Sequence, residues 1–133
     1  MRYLLDTNAW IHYLKNAASP VASRLRQTPA IEIAVCSIVW AELLHGARKY
    51  EHREERQARV EQTLAPYQSL PFDDAAARRY ADIRDDLETR GEVIGSNDLL
   101  IAAIALSHGL VLVTNDGGFD RVTGLRTEDW SVA

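Results

Sequence analysis

An apolar run passes directly into polar residues in the stretch Arg2-Tyr3-Leu4-Leu5-Asp6-Thr7-Asn8. Residues 2–5 predict a short buried strand that ends at Asp6, and residues 9–14 predict a helix of mixed faces. A second junction of this kind follows. Residues 31–36 predict a strand, and Ser37 is a suitable N-cap for a helix that runs through Glu42 towards Gly46.

The alternation of strands and helices continues along the chain. Residues 67–72 predict a third strand, and residues 110–113 form an unalternated apolar run typical of a parallel strand covered on both faces. A loop is expected at Gly117-Gly118. The remaining predicted helices are a short one that Ser19-Pro20 separates from the first, a charged one over residues 51–64 ending before Pro66, a long one capped by Asp73 and ended by Gly91, and one capped by Ser96 or Asn97 that reaches residues 108–109.

Strands that alternate with helices predict right-handed crossovers and a sheet with helices on both sides. The expected fold class is therefore α/β, with three layers and a central, mostly parallel sheet. A chain of 133 residues, 47% hydrophobic and 26% charged, is expected to form one compact domain over residues 1–133.

Cysteine content and hydropathy narrow the class of protein further. The single Cys36 excludes an intramolecular disulfide framework and a multi-cysteine zinc site. No apolar run approaches the roughly 20 residues that span a bilayer. We therefore expect a cytoplasmic protein that is neither membrane-spanning nor secreted.

The charge balance limits how this chain could meet nucleic acid. Fifteen basic and 19 acidic residues give a net charge of −4. This balance argues against a protein that holds nucleic acid mainly through a large positive field. It leaves nucleic acid open as a substrate, because a site that recruits a divalent metal to a polyanion must itself be acidic.

Two acidic residues lie just beyond predicted strands. Asp6 comes after the first strand and Asp116 after the run that ends at Val113. In open parallel sheets, ligands bind beyond the carboxyl ends of the strands. The structural alternatives are that Asp6 only caps the following helix and that Asp116 only forms a turn with Gly117.

Two further acids lie on helices among apolar neighbours. Glu42 shares a helix face with Ile38 and Val39, where an ionised carboxylate is costly unless a cation or donors meet it. Asp98 lies in line with Ile101 and Ala102 and should face inward. The alternatives are that Glu42 pairs with a nearby arginine and that Asp98 only complements the helix dipole.

Convergence of these four acids at one edge of the sheet predicts a metal site. Like charges at short range repel, so such a cluster persists when divalent cations occupy it. Oxygen-only ligands suit Mg²⁺ or Mn²⁺, and the chemistry indicated is phosphodiester hydrolysis. Side chains beside the acids could orient them or bound water, although capping and turn formation are equally good explanations for Thr7, Asn8, Ser96, Thr114 and Asn115.

Four segments together resemble PIN-domain nucleases, and their order and spacing match over nearly the whole chain. Within that family the chain is similar to the VapC toxins of type II toxin–antitoxin pairs, and residues 124–130 resemble the ending of that subgroup. The segments are Leu4-Leu5-Asp6-Thr7-Asn8, Trp40-Ala41-Glu42-Leu43, Asn97-Asp98-Leu99-Leu100-Ile101-Ala102-Ala103 and Val113-Thr114-Asn115-Asp116.

The resemblance implies a set of functional properties. Asp6, Glu42, Asp98 and Asp116 would form the catalytic acidic site that binds Mg²⁺ or Mn²⁺ and cleaves RNA. Asp120 is an alternative fourth acid, because it follows Phe119 where some relatives carry their acid. The resemblance also implies a homodimer, a VapB-like antitoxin that blocks the site, and an initiator tRNA cut in its anticodon stem-loop, which would inhibit translation.

Two other functions compete with an endoribonuclease. One is a phosphatase acting through an aspartyl phosphate on Asp6, although position 8 holds Asn8 where such enzymes usually carry a second Asp. The other is a catalytically silent module that only binds RNA or protein. A dinucleotide-binding site is the weakest alternative, because no G-x-G-x-x-G follows the first strand.

Overall fold

The computed structural model describes residues 1–132, which form five strands and six α-helices. The strands are β1 (Tyr3–Leu5), β2 (Ile33–Cys36), β3 (Gln68–Leu70), β4 (Val111–Val113) and β5 (Thr127–Glu128). The helices are α1 (Thr7–Lys15), α2 (Pro20–Gln27), α3 (Ser37–Ala47), α4 (Arg53–Leu64), α5 (Asp74–Thr89) and α6 (Ser96–Ser107). Two short 3-10 helices lie at Ala30–Glu32 and Gly117–Arg121.

The strands form a single parallel sheet in the order β3-β2-β1-β4-β5. Tyr3 of β1 is in register with Ile33 of β2 on one side and Val111 of β4 on the other. The predicted α/β class with a parallel sheet is confirmed. The fifth strand was not predicted, because two half-buried residues are too short to show a strand pattern.

Helices cover both faces of the sheet. Helix α1 packs against α2 and α3, and α3 packs against α4, whereas α5 packs against α6; α3 also contacts α6. Right-handed crossovers place the first group on one face and the second group on the other. The direction of winding reverses between β1 and β4, since the chain moves outward from β1 to β3 and then returns across the sheet to β4. Ligands of open α/β sheets bind at such a reversal.

The core is centred on the inner strands and on α6. Every residue of β1, β2 and β4 is buried. Helix α6 is buried continuously from Ile101 to Ala105, which is why its sequence shows little amphipathic periodicity. Among the described residues, no helix has the length and apolar character that crossing a membrane requires.

The capping predictions are partly confirmed. Asp73 caps α5 by accepting a hydrogen bond from the Ala76 amide at 3.0 Å, and Gly91 beyond its end has φ +70°. The predicted N-caps of the other two helices were wrong, namely Ser37 for α3 and Ser96 or Asn97 for α6. Cys36 and Gly95 occupy those positions with extended backbones, and Ser37 and Ser96 are the first helical residues. Neither Cys36 nor Gly95 forms a side-chain capping bond, so neither residue type marks the start of its helix in the sequence.

Other boundaries also shift by a few residues. Helix α1 begins at Thr7 instead of residue 9, because Asp6 is its N-cap. Strand β2 begins at Ile33, since residues 30–32 turn as a 3-10 helix. The loop expected at Gly117-Gly118 is the start of the second 3-10 helix, which Asp116 caps. The fold thus places Asp6 and Asp116 at two helix starts beside the reversal of the sheet.

Candidate active site

The four predicted acids come from four different elements at the carboxyl edge of the sheet. Asp6 ends β1, and Asp116 lies three residues beyond the end of β4, the neighbouring strand. Glu42 lies in α3 and Asp98 in the first turn of α6, and these two helices pack against each other. The reversal between β1 and β4 therefore brings together residues up to 110 positions apart in the chain.

An open cavity of about 470 Å³ lies at this edge. Asp98, Asp116 and Arg121 are its charged lining residues. The remaining lining comes from the loop before α6 and from the second 3-10 helix, namely Val93, Ile94, Gly95, Gly118 and Phe119. The cavity is large enough for a small segment of a polymeric substrate.

Asp6 is both a buried carboxylate and a helix cap. Its residue is 5% exposed, and its Oδ1 accepts a hydrogen bond from the Ala9 amide at 2.9 Å. Burial raises the pKa of Asp6, while the adjacent Thr114 hydroxyl and the Ala9 amide oppose that rise. The expectation that Asp6 caps a helix is confirmed, and the cap engages Oδ1.

Glu42 is oriented by a hydroxyl from the neighbouring helix. Thr7 Oγ1 donates to Glu42 Oε1 at 2.8 Å, which ties the start of α1 to the middle of α3. The alternative of an arginine partner for Glu42 was wrong. Within residues 1–132 the ion pairs involve other acids. Glu42 is half-buried and keeps its second carboxylate oxygen for another ligand.

The negative charges of all three other acids act on the pKa of Asp98. Partial burial raises its pKa, and the negative charges of Asp116, Glu42 and Asp6 raise it further, in that order. Gly95, directly before α6, lies close to the Asp98 carboxylate, since a Cβ at position 95 would be 3.5 Å from Asp98 Oδ2. The cluster is thus held together by the fold although its charges repel one another.

Asp116 resembles Asp6 in using one oxygen for local structure. Its Oδ1 accepts from the Gly118 amide at 2.8 Å, so the predicted turn is present. The Asp116 amide in turn donates to Thr114 Oγ1 at 3.0 Å. Since Thr114 also adjoins the Asp6 carboxylate, this hydroxyl connects the two strand-end acids.

The other predicted auxiliary residues lie at different distances from the cavity. Three of them are exposed, namely Asn8, Ser96 and Asn115. Asn115 lines a small cleft together with His12 and Trp130. The Asp120 carboxylate accepts from Thr127 Oγ1 at 3.4 Å, and Asp116 is the acid of this segment that lines the cavity.

The donor set fits a hard divalent cation held partly through water. Within residues 1–132, no three acidic, histidine or cysteine side chains form a ready-made coordination shell. Mg²⁺ commonly keeps several waters and binds through only one or two carboxylates, so a closed protein shell is not required. The four carboxylates form no ion pair within the described residues, and their like charges raise the pKa of Asp98. A divalent cation would neutralise this repulsion.

Sequence reasoning missed three residues at this site. Gly118 passes so close to Asp116 that a Cβ would lie 3.1 Å from its Oδ1, and Gly95 is similarly near Asp98. The Gly117-Gly118 pair after an acid was a usable signal for the first. Arg121 gave no signal, because an exposed arginine in a charged chain is ordinary until the cavity is seen.

Comparison with known proteins agrees with this architecture. Residues 3–125 match the PIN domain family. The chain is 40% identical over 131 residues to ribonuclease VapC2 of Haemophilus influenzae, with 98% of each chain covered. It is 37% identical over 132 residues to a tRNA(fMet)-specific endonuclease VapC of Shigella flexneri, with 98% of this chain and 99% of the other covered.

A solved structure gives the same result at the level of the backbone. The toxin-like chain in the crystal structure of DNA-bound VapBC from Salmonella typhimurium superposes with a TM-score of 0.92 at 35% identity, covering 98% of both chains. The family resemblance predicted from the four acidic segments is confirmed. Identity at this level over nearly the whole length shows that the chain belongs to the PIN-domain family, among its VapC ribonucleases.

Proposed function

We propose that this chain is a Mg²⁺- or Mn²⁺-dependent endoribonuclease that acts as the toxin of a VapBC-type pair. The observation that carries the proposal is the meeting of Asp6, Glu42, Asp98 and Asp116 beside one open cavity, with no ion pair to any of the four among the described residues. Membership of the VapC ribonucleases supports the reaction class.

The proposed metal ligands follow from the free carboxylate oxygens. Asp6 and Asp116 each commit Oδ1 to a backbone amide, so that Oδ2 takes no part in the cap, while Glu42 is held at Oε1 by Thr7. When bound, Mg²⁺ or Mn²⁺ would lower the pKa of a coordinated water and stabilise charge on the phosphoryl and leaving oxygens. Asp98, which lines the cavity and lies near the other three acids, completes the set.

The chain's own side chains would position the attacking water and the carboxylates around it. Hydrolysis joins a water oxygen to phosphorus as the bond to the leaving ribose oxygen breaks. The attacking water gives up a proton, which a nearby carboxylate of the cluster can accept, and the leaving ribose oxygen takes up a proton from water. The Thr7 hydroxyl would hold Glu42 in place and the Thr114 hydroxyl would hold Asp6, so each threonine orients a carboxylate that binds the metal.

Cleavage of bulk tRNA by the purified chain tests the reaction. We expect discrete fragments in Mg²⁺ or Mn²⁺, none in EDTA, and none from Asp98→Asn purified in parallel. Asp82→Asn is the matched control, because Asp82 is an exposed acid on α5. Cleavage that persists equally in Asp98→Asn or in EDTA would refute the proposal, since the activity would not come from this site.

The proposed substrate is initiator tRNA, cut in its anticodon stem-loop. Support comes from the Shigella flexneri relative, which is named a tRNA(fMet)-specific endonuclease. Loss of initiator tRNA would stop translation at its first step and inhibit growth. Mapping of fragment ends from total RNA checks this, and cuts confined to ribosomal or messenger RNA would contradict it.

The proposed partner is a VapB-like antitoxin that blocks the site. The Salmonella typhimurium relative was solved as a VapBC complex, which supports the proposal. Coexpression of the chain with its cognate antitoxin should restore growth and yield a stable complex. The homodimer, the cytoplasmic location and the extent of a single domain over residues 1–133 stay predictions, which light scattering, fractionation and limited proteolysis check.

A further inference from the structure

Arg121 is the one basic residue that lines the cavity formed by Asp98 and Asp116, within the described part of the chain. It closes the 3-10 helix Gly117–Arg121, five residues after Asp116. The lining of the cavity therefore includes both carboxylates and a guanidinium. A phosphodiester chain needs both, a cation site for the reacting phosphate and a positive group for a neighbouring one.

The guanidinium is anchored without being neutralised. Arg121 Nη1 donates to the Val93 carbonyl at 2.7 Å, across the gap between the 3-10 helix and the loop before α6. In residues 1–132 no carboxylate forms an ion pair with it. Arginine has five N–H donors, so four stay available to an anion.

A second arginine fixes the backbone from which Arg121 projects. Arg90 Nη2 donates to the Arg121 carbonyl at 2.5 Å. Arg90 is itself held by ion pairs to Asp86 at 2.8 Å and Glu92 at 2.9 Å. This network ties the end of α5 to the 3-10 helix, so Arg121 is positioned before a ligand arrives and loses little freedom on binding one.

We propose that Arg121 binds a phosphate of the RNA next to the one that is cleaved, and so sets the register of the strand on the acidic site. The inference rests on the proposed function, because it takes the acids to be where cleavage occurs. A guanidinium suits this task, since its planar fork can bind two phosphate oxygens at once. Arg121 is thus a substrate-binding residue, not a ligand of the metal.

The test compares Arg121→Gln with Arg126→Gln for binding of end-labelled bulk tRNA. Both variants lose one positive charge, and Arg126 also donates to a carbonyl, that of Gly109 at 3.4 Å, at the opposite edge of the sheet. All proteins carry Asp98→Asn to prevent cleavage, and affinity is measured in Mg²⁺ at several salt concentrations.

We expect Arg121→Gln to weaken tRNA binding about tenfold and Arg126→Gln to weaken it less than about twofold. The slope of log affinity against log salt should flatten by about 0.7 for Arg121→Gln, the value for one lost single-strand phosphate contact. Arg121→Lys keeps the charge and should restore the salt slope but only part of the affinity, because an ammonium lacks the planar fork. Equal affinities and slopes for Arg121→Gln and Arg126→Gln would overturn the inference.

A measurement on the unmodified chain covers the case in which Arg121→Gln does not fold. Phenylglyoxal labels exposed arginines, and bound tRNA should protect Arg121 but not Arg126 from it. Equal labelling of Arg121 with and without tRNA would refute the contact. A parent that cleaves tRNA while Arg121 shows no effect refutes this inference alone, whereas a parent that neither binds nor cleaves RNA refutes the proposed function with it.

Discussion

The carboxylate of Asp6 contributes to two features of the molecule at once. Its Oδ1 caps α1 through the Ala9 amide, and its buried position beside Thr114 belongs to the acidic cluster. Asp116 combines a cap and a site position in the same way. A capping explanation and a catalytic explanation for one acid are therefore compatible, because each needs only one of the two oxygens.

Substitution of Asp6 should separate the cap from the charge. Asn is as good an N-cap as Asp and removes a buried charge, so Asp6→Asn should keep or slightly raise stability yet lower tRNA cleavage about a hundredfold or more. Asp6→Ala should lose the activity and also about 1 kcal/mol of unfolding free energy. Urea titration and a cleavage assay measure the two effects.

The matched control for Asp6 is Asp73, a helix cap on α5 outside the cluster. Its Oδ1 accepts from the Ala76 amide at 3.0 Å, which is the same capping geometry. Asp73→Ala should cost a similar free energy and leave cleavage unchanged. If Asp6→Asn cleaved tRNA at the parental rate, Asp6 would be a structural cap only.

Between elements, the contact of Thr7 with Glu42 links the start of α1 to α3. Thr7 Oγ1 is 2.8 Å from Glu42 Oε1, although the residues are 35 positions apart. Both helices follow strands that are neighbours in the sheet, so their adjacent placement is a property of the topology. The bond fixes one oxygen of Glu42 and thereby the direction of the other.

Removal of the Thr7 hydroxyl should reduce activity more than stability. Thr7→Val keeps the shape but leaves Glu42 without its donor, so we expect a loss of about 1 kcal/mol in unfolding free energy and about tenfold in cleavage rate. Thr7→Ser should retain both. Thr28→Val is the control, since it removes an exposed hydroxyl that donates to the Arg24 carbonyl at 2.8 Å. A Thr7→Val protein with full activity would contradict a positioning role for this bond.

Across the whole molecule, the four acids are a repulsive cluster that the fold brings together. Burial and like charges raise the pKa of Asp98, and burial raises that of Asp6. A carboxyl whose pKa is higher in the folded than in the unfolded chain binds its proton more strongly when folded. Without a divalent cation, its contribution therefore lowers stability as the pH rises from the ordinary value near 3.8 through the raised value.

Thermal unfolding against pH should reveal this cluster. In EDTA, Asp98→Asn should melt about 1 to 3 °C above the parent at pH 7, and the difference should vanish at acidic pH where Asp98 is protonated in both states. Mg²⁺ should raise the melting temperature of the parent more than that of Asp98→Asn.

The comparison between variants isolates the acidic cluster from the rest of the molecule. Asp86 and Asp129 have lowered pKa values and act in the opposite direction, but they do so equally in both proteins. Asp82→Asn should follow the parent in every condition. An equal Mg²⁺-induced shift in Asp98→Asn would contradict a role for Asp98 in holding the ion.

Most elements could be predicted because their signals are local. The burial of β1 and β4, the cap at Asp73 and the end of α5 at Gly91 depend on residues within a few positions of each other. The backbone caps Cys36 and Gly95, and the two-residue β5, could not be predicted, since none of them carries a side-chain capping bond or a periodic pattern.

The sequence by itself determined the fold class and the four acidic positions, since a carboxylate that follows an apolar strand or faces inward on a helix is visible from its neighbours. Only the tertiary structure decided that β1 lies beside β4, that Thr7 orients Glu42, and that Arg121 lines the cavity of Asp98. Strand order and these contacts join residues far apart in the chain. They depend on which long-range packing has the lowest free energy, and no local pattern encodes that choice.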